Sequence, residues 1–255
     1  MSAGVRGRVR VPVATLWRRP DAPRDLDEAA VRDEPDVDAW IRAMDDAGDE
    51  GRLGLHGLVD SQLLAGEPVV VLDRQDDWCR VAAPWQPSSR LEAGYPGWVR
   101  SAHVVLDTDG PDRPVATVTV TVTADGDRPD LAALTFAQRF LGLRYLWGGT
   151  SDAGVDCSGL VHRSFRALGI VLPRDAHDQA AFVEPVALDD VRPGDLYFFA
   201  RPGESVYHVG FVTRPVQDDG TRWMLHAPES GTPFVEDAPL APYRSETLVS
   251  AGRVG

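Results

Sequence analysis

Cysteine is scarce in this chain: Cys79 and Cys157 are the only two among 255 residues. Two thiols make no disulfide framework, and a chain of this length holds enough core to fold without a staple. No CxxC and no HxxxH spacing occurs, so the usual ligand pattern of a structural zinc is missing as well. No metal and no cofactor is expected. Basic charge is also short, with 26 Lys and Arg against 39 Asp and Glu and a formal net charge of −13. Nonspecific binding to nucleic acid or to anionic lipid needs a basic face, so neither is an expected partner. No run approaches the ~18 to 20 apolar residues of a membrane-crossing helix. Near the N-terminus, arginines interrupt every apolar stretch of MSAGVRGRVRVPVATLWRRPDAPRD, which leaves no secretory hydrophobic region and leads to the expectation of a cytoplasmic protein.

What is present divides the chain into parts. RVRVPVATLW (8–17) reads as a strand. An acidic insert, DLDEAAVRDEPDVDAWIRAMDDAGDEGR, follows and contributes a surface helix around Val37 to Met44. From Gly57 short β runs alternate with Gly, Pro and Asp-rich turns, the pattern of a small barrel. GEPVVVL and DDWCRVAAP pair as a hairpin, with Cys79 packed in the second strand as a small apolar residue. In LDTDGPDRPVATVTVTVTADGDRPD the alternating centre VATVTVTVT reads as one edge strand within a connection. The expected division is residues 1–106 for the barrel with its helical insert near 25–50, 107–129 for the linker, and 130–255 for a second domain. That domain opens with a helix, DLAALTFAQRFLGLRY, whose Leu131, Leu134, Phe136, Phe140 and Leu141 form one apolar face. A helix-rich start followed by antiparallel strands is an α+β layout.

Chemistry collects in this second part. Cys157 lies in WGGTSDAGVDCSGL, where it could be a small core residue, a metal ligand, half of a disulfide or a nucleophile. The apolar positions Cys157, Leu160, Val161, Phe165 and Leu168 recur at helical intervals, Gly169 supplies a stop, and Asp156 stands where an N-cap belongs. Cys157 therefore falls in the first turn of a helix, where free N–H groups and the helix dipole favour an anion and lower a thiol's pKa. A thiol nucleophile needs a base, and the base needs an orienting group. His208 in VYHVGFVT and His226 in RWMLHAP lie on consecutive strands that bring both rings into one cleft if they pair antiparallel. His56, His103, His162 and His177 read as satisfied or solvent-facing histidines.

YLWGG, DCSGLV, LPRDAHDQ, VRPGDLYFF, HVGFV and LHAP occur in that order, and together they resemble the NlpC-type family of bacterial cell-wall cysteine peptidases over roughly residues 130 to 255. The resemblance implies a papain-like peptidase domain with Cys157 as nucleophile, His208 as base and His226 as orienter. It further implies Tyr145 beside the oxyanion, together with the backbone N–H of Cys157, and Trp147, Asp156 and Ser158 against the substrate. SQLLAGEPVVVL, DDWCRVAAPWQ and GYPGWV are similar to the bacterial SH3-like barrels that precede this domain in enzymes of murein peptide recycling. By that likeness Glu67 and Tyr95 recognise a free N-terminal L-alanine, and a free ammonium does require carboxylates, which Glu67 and Asp156 would supply. The implied activity is hydrolysis, through a thioester, of the γ-D-glutamyl to diamino acid bond in murein peptides. An acyltransferase or amidase on the same fold, or a wall-peptide binding module, are the alternatives. Departures from the family pattern are Ala176, where a serine is common, the room for only one barrel, and the acidic insert.

Overall fold

The computed structural model describes residues 5–107 and 128–255, and the expected edge strand VATVTVTVT lies outside them. The described residues fall into two compact units, 5–107 with 146–154 and 128–145 with 155–255. The chain thus leaves the second unit for nine residues just before the helix that starts at Cys157.

In the first unit, β1 (Val5–Val9), β2 (Val13–Trp17), β3 (Val59–Leu64), β4 (Pro68–Gln75), β5 (Trp78–Ala83), β6 (Tyr95–Arg100) and β7 (Val104–Leu106) form one antiparallel sheet in the order β3-β2-β6-β5-β4-β1-β7. Register shifts at Leu16/Trp17 and Val71/Asp73 bend it. Val9, Leu16, Leu63, Val69, Val81, Val99 and Cys79 are buried together in its core. Gln75 pairs with Trp78 across the β4–β5 hairpin, and Asp76 in between takes φ +48°, the left-handed conformation that a two-residue hairpin turn requires and Asp tolerates.

The acidic insert carries α1 (Glu28–Val31), α2 (Val37–Asp46) and α3 (Asp49–Arg52). Asp36 caps α2 by accepting from the Ala39 N–H at 2.8 Å. Its helix is more than the expected surface element, because Trp40 and Met44 are fully buried beside Trp17, Leu55 and Val59. The Trp40 indole N–H donates to the buried Asp27 at 2.7 Å, and Arg24 neutralises that carboxylate. The chain contains no lysine, so every such pair uses a guanidinium, the cation best suited to hold a carboxylate in two places at once.

In the second unit α4 (Pro129–Ala137) buries Leu134 and Phe136, and a 3₁₀ turn continues to the buried Phe140. Leu131 and Leu141, expected on the same apolar face, are 41% and 49% exposed. The helix ends before Leu141 and turns Leu131 outward, so the expected face is narrower than its periodicity suggested. The short strand β8 (Thr150–Ser151), in the segment 146–154 of the first unit, pairs with β9 (Gly154–Val155), and α5 (Cys157–Arg166) and α6 (Ala176–Phe182) of the second unit follow. A second antiparallel sheet contains β10 (Glu184–Val186), β11 (Leu196–Phe199), β12 (His208–Val212), β13 (Trp223–His226), β14 (Glu236–Pro239) and β15 (Leu248–Arg253), in the order β10-β15-β11-β12-β13-β14; α7 (Pro242–Ser245) precedes β15. Phe165 of α5 stacks on Phe211 of β12 with ring centroids 5.8 Å apart. Val212, alternating to the other face of β12, joins Tyr197, Phe199 and Met224 in a separate core cluster. Among the described residues no helix is long and apolar enough to cross a membrane.

Candidate active site

The start of α5 is held from three directions. Asp156 adopts the extended N-cap conformation and its Oδ1 accepts from the Gly159 N–H at 2.6 Å. Arg174, 1% exposed, then clamps both carboxylate oxygens, with Nη1 to Oδ1 at 3.0 Å and Nη2 to Oδ2 at 2.7 Å. The same Nη1 donates to Ser158 Oγ at 2.9 Å, and Gln179 donates to the Ser158 carbonyl at 3.0 Å. A planar guanidinium that satisfies a carboxylate twice fixes direction as well as distance. Asp156 and Ser158, expected against substrate, are therefore first of all the framework that sets the helix terminus. Arg174 had no assigned role in the sequence reading, although a buried arginine in LPRD demands a carboxylate.

Cys157 is the first residue of α5 and is buried. Its sulfur accepts a hydrogen bond from the Val209 N–H of β12, which puts the thiol against the backbone beside His208. Burial, and then the adjacent Asp156 carboxylate, push the thiol pKa up to about 12; Val209, Arg174 and Arg244 oppose this. This reverses the lowering expected from the helix terminus alone. The capping residue that makes the helix start there also places an anion beside the sulfur.

β12 and β13 run antiparallel, as expected, and His208 Nε2 lies 2.9 Å from His226 Nδ1 with the two rings nearly perpendicular at 86°. Burial, then Arg244 and His226, hold His208 well below the usual histidine range. Burial and then Arg244 take His226 down to about 3. These directions favour the uncharged thiol at the start of α5 and the neutral imidazoles on β12 and β13. Arg244, only 4% exposed, stands 5.6 Å from the Phe199 ring and 5.7 Å from the Tyr207 ring, and both of these rings neighbour His208. It too escaped the sequence reading, since its α7 position follows β14 with no motif around it.

The reach of His226 toward His208 depends on Gly210. A Cβ at Gly210 would sit 2.8 Å from Met224 Sδ and 2.9 Å from His226 Cβ, closer than real Cβ contacts come, and 3.1 Å from the Leu225 carbonyl oxygen, which is tight. Gly210→Ala is expected to displace the His226 ring and lower kcat by ~10- to 100-fold at nearly constant KM, as a misplacement on the order of 1 Å does elsewhere. Steady-state kinetics beside a melting curve checks it, the latter showing that the fold survives.

Tyr145 is buried, and its phenol is pushed well above its ordinary range, first by burial and next by the charge of Cys157. The other expected contacts belong to the first unit. Trp147 donates its indole N–H to the Val59 carbonyl at 2.9 Å and stacks on His56, with centroids 3.8 Å apart. Glu67 is buried and accepts from Gln86 at 3.3 Å; the Tyr95 hydroxyl accepts from Arg90 at 3.1 Å. Of the remaining histidines, His162 and His103 are buried against the carbonyls of Leu172 and Arg32, at 2.8 and 2.6 Å. His177 is exposed. Among the described residues the group with metal-ligand spacing is Asp175, His177 and Asp178, within 4.8 Å of one another.

Residues 142–253 match the NlpC/P60 family, and residues 55–104 match the bacterial dipeptidyl-peptidase Sh3 domain. The chain is 33% identical over 273 residues to a γ-D-glutamyl-L-lysine dipeptidyl-peptidase of Bacillus subtilis, covering 86% of this chain and 88% of that one. A protein of the same name from Bacillus cereus is 27% identical, covering 87% and 83%. The crystal structure of an NlpC/P60 family protein from Bacillus cereus superposes with a TM-score of 0.82 at 25% identity, over 97% of this chain and 99% of that one.

Proposed function

Since the chain belongs to the NlpC/P60 family and is a cysteine peptidase, we propose that it hydrolyses the γ-D-glutamyl to diamino acid bond of murein peptides that carry a free N-terminal L-alanine. The observation that carries the chemistry is the thiol of Cys157, held by the Val209 N–H next to a His208 that is itself engaged by His226. The names of the two Bacillus relatives support the choice of bond, because this chain covers most of the length of both. The place of this activity in murein peptide recycling follows the resemblance of the first domain to the SH3-like barrels of such enzymes.

In this reading the Cys157 sulfur attacks the γ-carbonyl carbon while His208 takes the thiol proton. The oxyanion is met by the Cys157 N–H and by Tyr145, whose high pKa keeps its phenol a donor. His208 returns the proton to the leaving amine, the thioester forms, and water, deprotonated by the same ring, releases the glutamyl carboxylate. Asp156, already neutralised by Arg174, contributes chiefly by holding the helix.

Products from L-Ala-γ-D-Glu-diaminopimelate, from the lysine analogue and from their N-acetylated forms are to be identified by mass spectrometry, beside a Cys157→Ala control. Release of L-Ala-D-Glu from the free amines alone is expected. Equal cleavage of the acetylated peptides removes the amino-end recognition, and no cleavage of any of them removes the choice of bond.

A further inference from the structure

His226 has two ring nitrogens with different neighbours. Nδ1 lies 2.9 Å from His208 Nε2. Nε2 lies 3.6 Å from Oε1 of Glu236, which stands directly opposite His226 on β14. The other oxygen of Glu236 accepts from Thr232 Oγ1 at 3.0 Å, which leaves Oε1 for the histidine. Glu236 was not among the expected site residues, and nothing in VEDAP marks it.

The contact between the two rings holds one proton. If His208 Nε2 carries it, His208 Nδ1 has a free lone pair and can take the proton of Cys157; the neutral His226 must then carry its own proton on Nε2. If His226 Nδ1 carries it, the proton of a neutral His208 is forced onto Nδ1 and the base is blocked. The group facing His226 Nε2 selects between these arrangements, an acceptor favouring the first and a donor the second. We propose that Glu236 is a positioning residue that keeps the His226 proton on Nε2 and, through that ring, keeps His208 in the tautomer able to accept from Cys157. The proposal rests on Cys157 and His208 being nucleophile and base, and not on which peptide is cleaved. At 3.6 Å and 37% side-chain exposure, the carboxylate acts through its charge and acceptor character across a gap longer than a direct hydrogen bond. Its influence is accordingly moderate.

Two measurements test it on the full chain. Long-range ¹H–¹⁵N spectra of the imidazoles report which nitrogen of His226 bears hydrogen, and the wild-type ring is expected to be protonated at Nε2. The rate of Cys157 alkylation by iodoacetamide is then compared across variants, which requires no peptide substrate. Glu236→Ala is expected to slow it ~3- to 10-fold, Glu236→Lys, which presents a donor, by ~30-fold, and Glu236→Gln, whose amide oxygen still accepts, by less than ~2-fold. Melting curves identical to wild type exclude a folding origin. A His226 protonated at Nδ1 in the wild type, or Ala and Lys variants that alkylate at the wild-type rate, overturns the proposal. Failure of the chain to cleave γ-D-glutamyl peptides leaves both measurements interpretable.

Discussion

Cys157→Ala and His208→Ala are each expected to reduce kcat by ~10⁴-fold or more while leaving the melting temperature nearly unchanged, because members of a nucleophile–base pair act as one unit. The double variant is expected to be no worse than either single one. The charge state adds a sharper test. With the thiol pushed up to about 12 and His208 held well below the usual histidine range, both groups are neutral through the physiological range. The thiolate fraction then grows about tenfold per pH unit until pH nears the thiol pKa, so alkylation of Cys157 by iodoacetamide rises steadily toward alkaline pH. A preformed thiolate–imidazolium pair would instead give a plateau from weakly acid pH upward, and that profile would sink the neutral resting state. On the peptide substrate the acid limb of kcat/KM, which reports protonation of His208 in the free enzyme, is expected well below pH 6.5 because burial, Arg244 and His226 all disfavour the imidazolium.

The second large effect concerns stability. Arg174→Met keeps the apolar stem of the side chain but removes the guanidinium fork from the Asp156 carboxylate, which is 10% exposed. Breaking one side of a buried pair in this way costs ~3–5 kcal/mol. Thermal or denaturant unfolding is expected to show that loss, and kcat is expected to fall as well, since Asp156 caps the helix on which Cys157 is the first residue. In Arg174→Met with Asp156→Asn the buried charge that has lost its guanidinium is gone, and an Asn can still cap α5. The double variant should therefore recover part of the loss. Additive costs in the double-mutant cycle would show that the two side chains are not coupled, contrary to the fork seen between them.

The parts of the site that were legible in the sequence are those determined by near neighbours. Asp156 as cap, Cys157 as first helical residue and Gly169 as stop follow from helical period and capping chemistry within about a dozen residues, and the structure has all three. His208 and His226 were legible as residues of neighbouring strands, since alternation and short turns imply antiparallel pairing. The parts that were not legible depend on residues far apart in the chain. Arg174 meets Asp156 from 18 positions away. Gly210 matters because of a Cβ on the next strand. Arg244 and Glu236 reach the histidines only through the sheet and its flanking helix.

By itself the sequence determined which residue types could do thiol chemistry, where the helix that presents the thiol begins, and the α+β order of elements, because each of these is a local property of period, cap and turn. Tertiary structure decided the direction in which the pKa of that thiol moves, through its burial. A helix terminus lowers the pKa of an exposed cysteine, but burial and then the Asp156 carboxylate outweigh it here, and that burial and the opposing charges of Arg174 and Arg244 exist only once distant segments have packed.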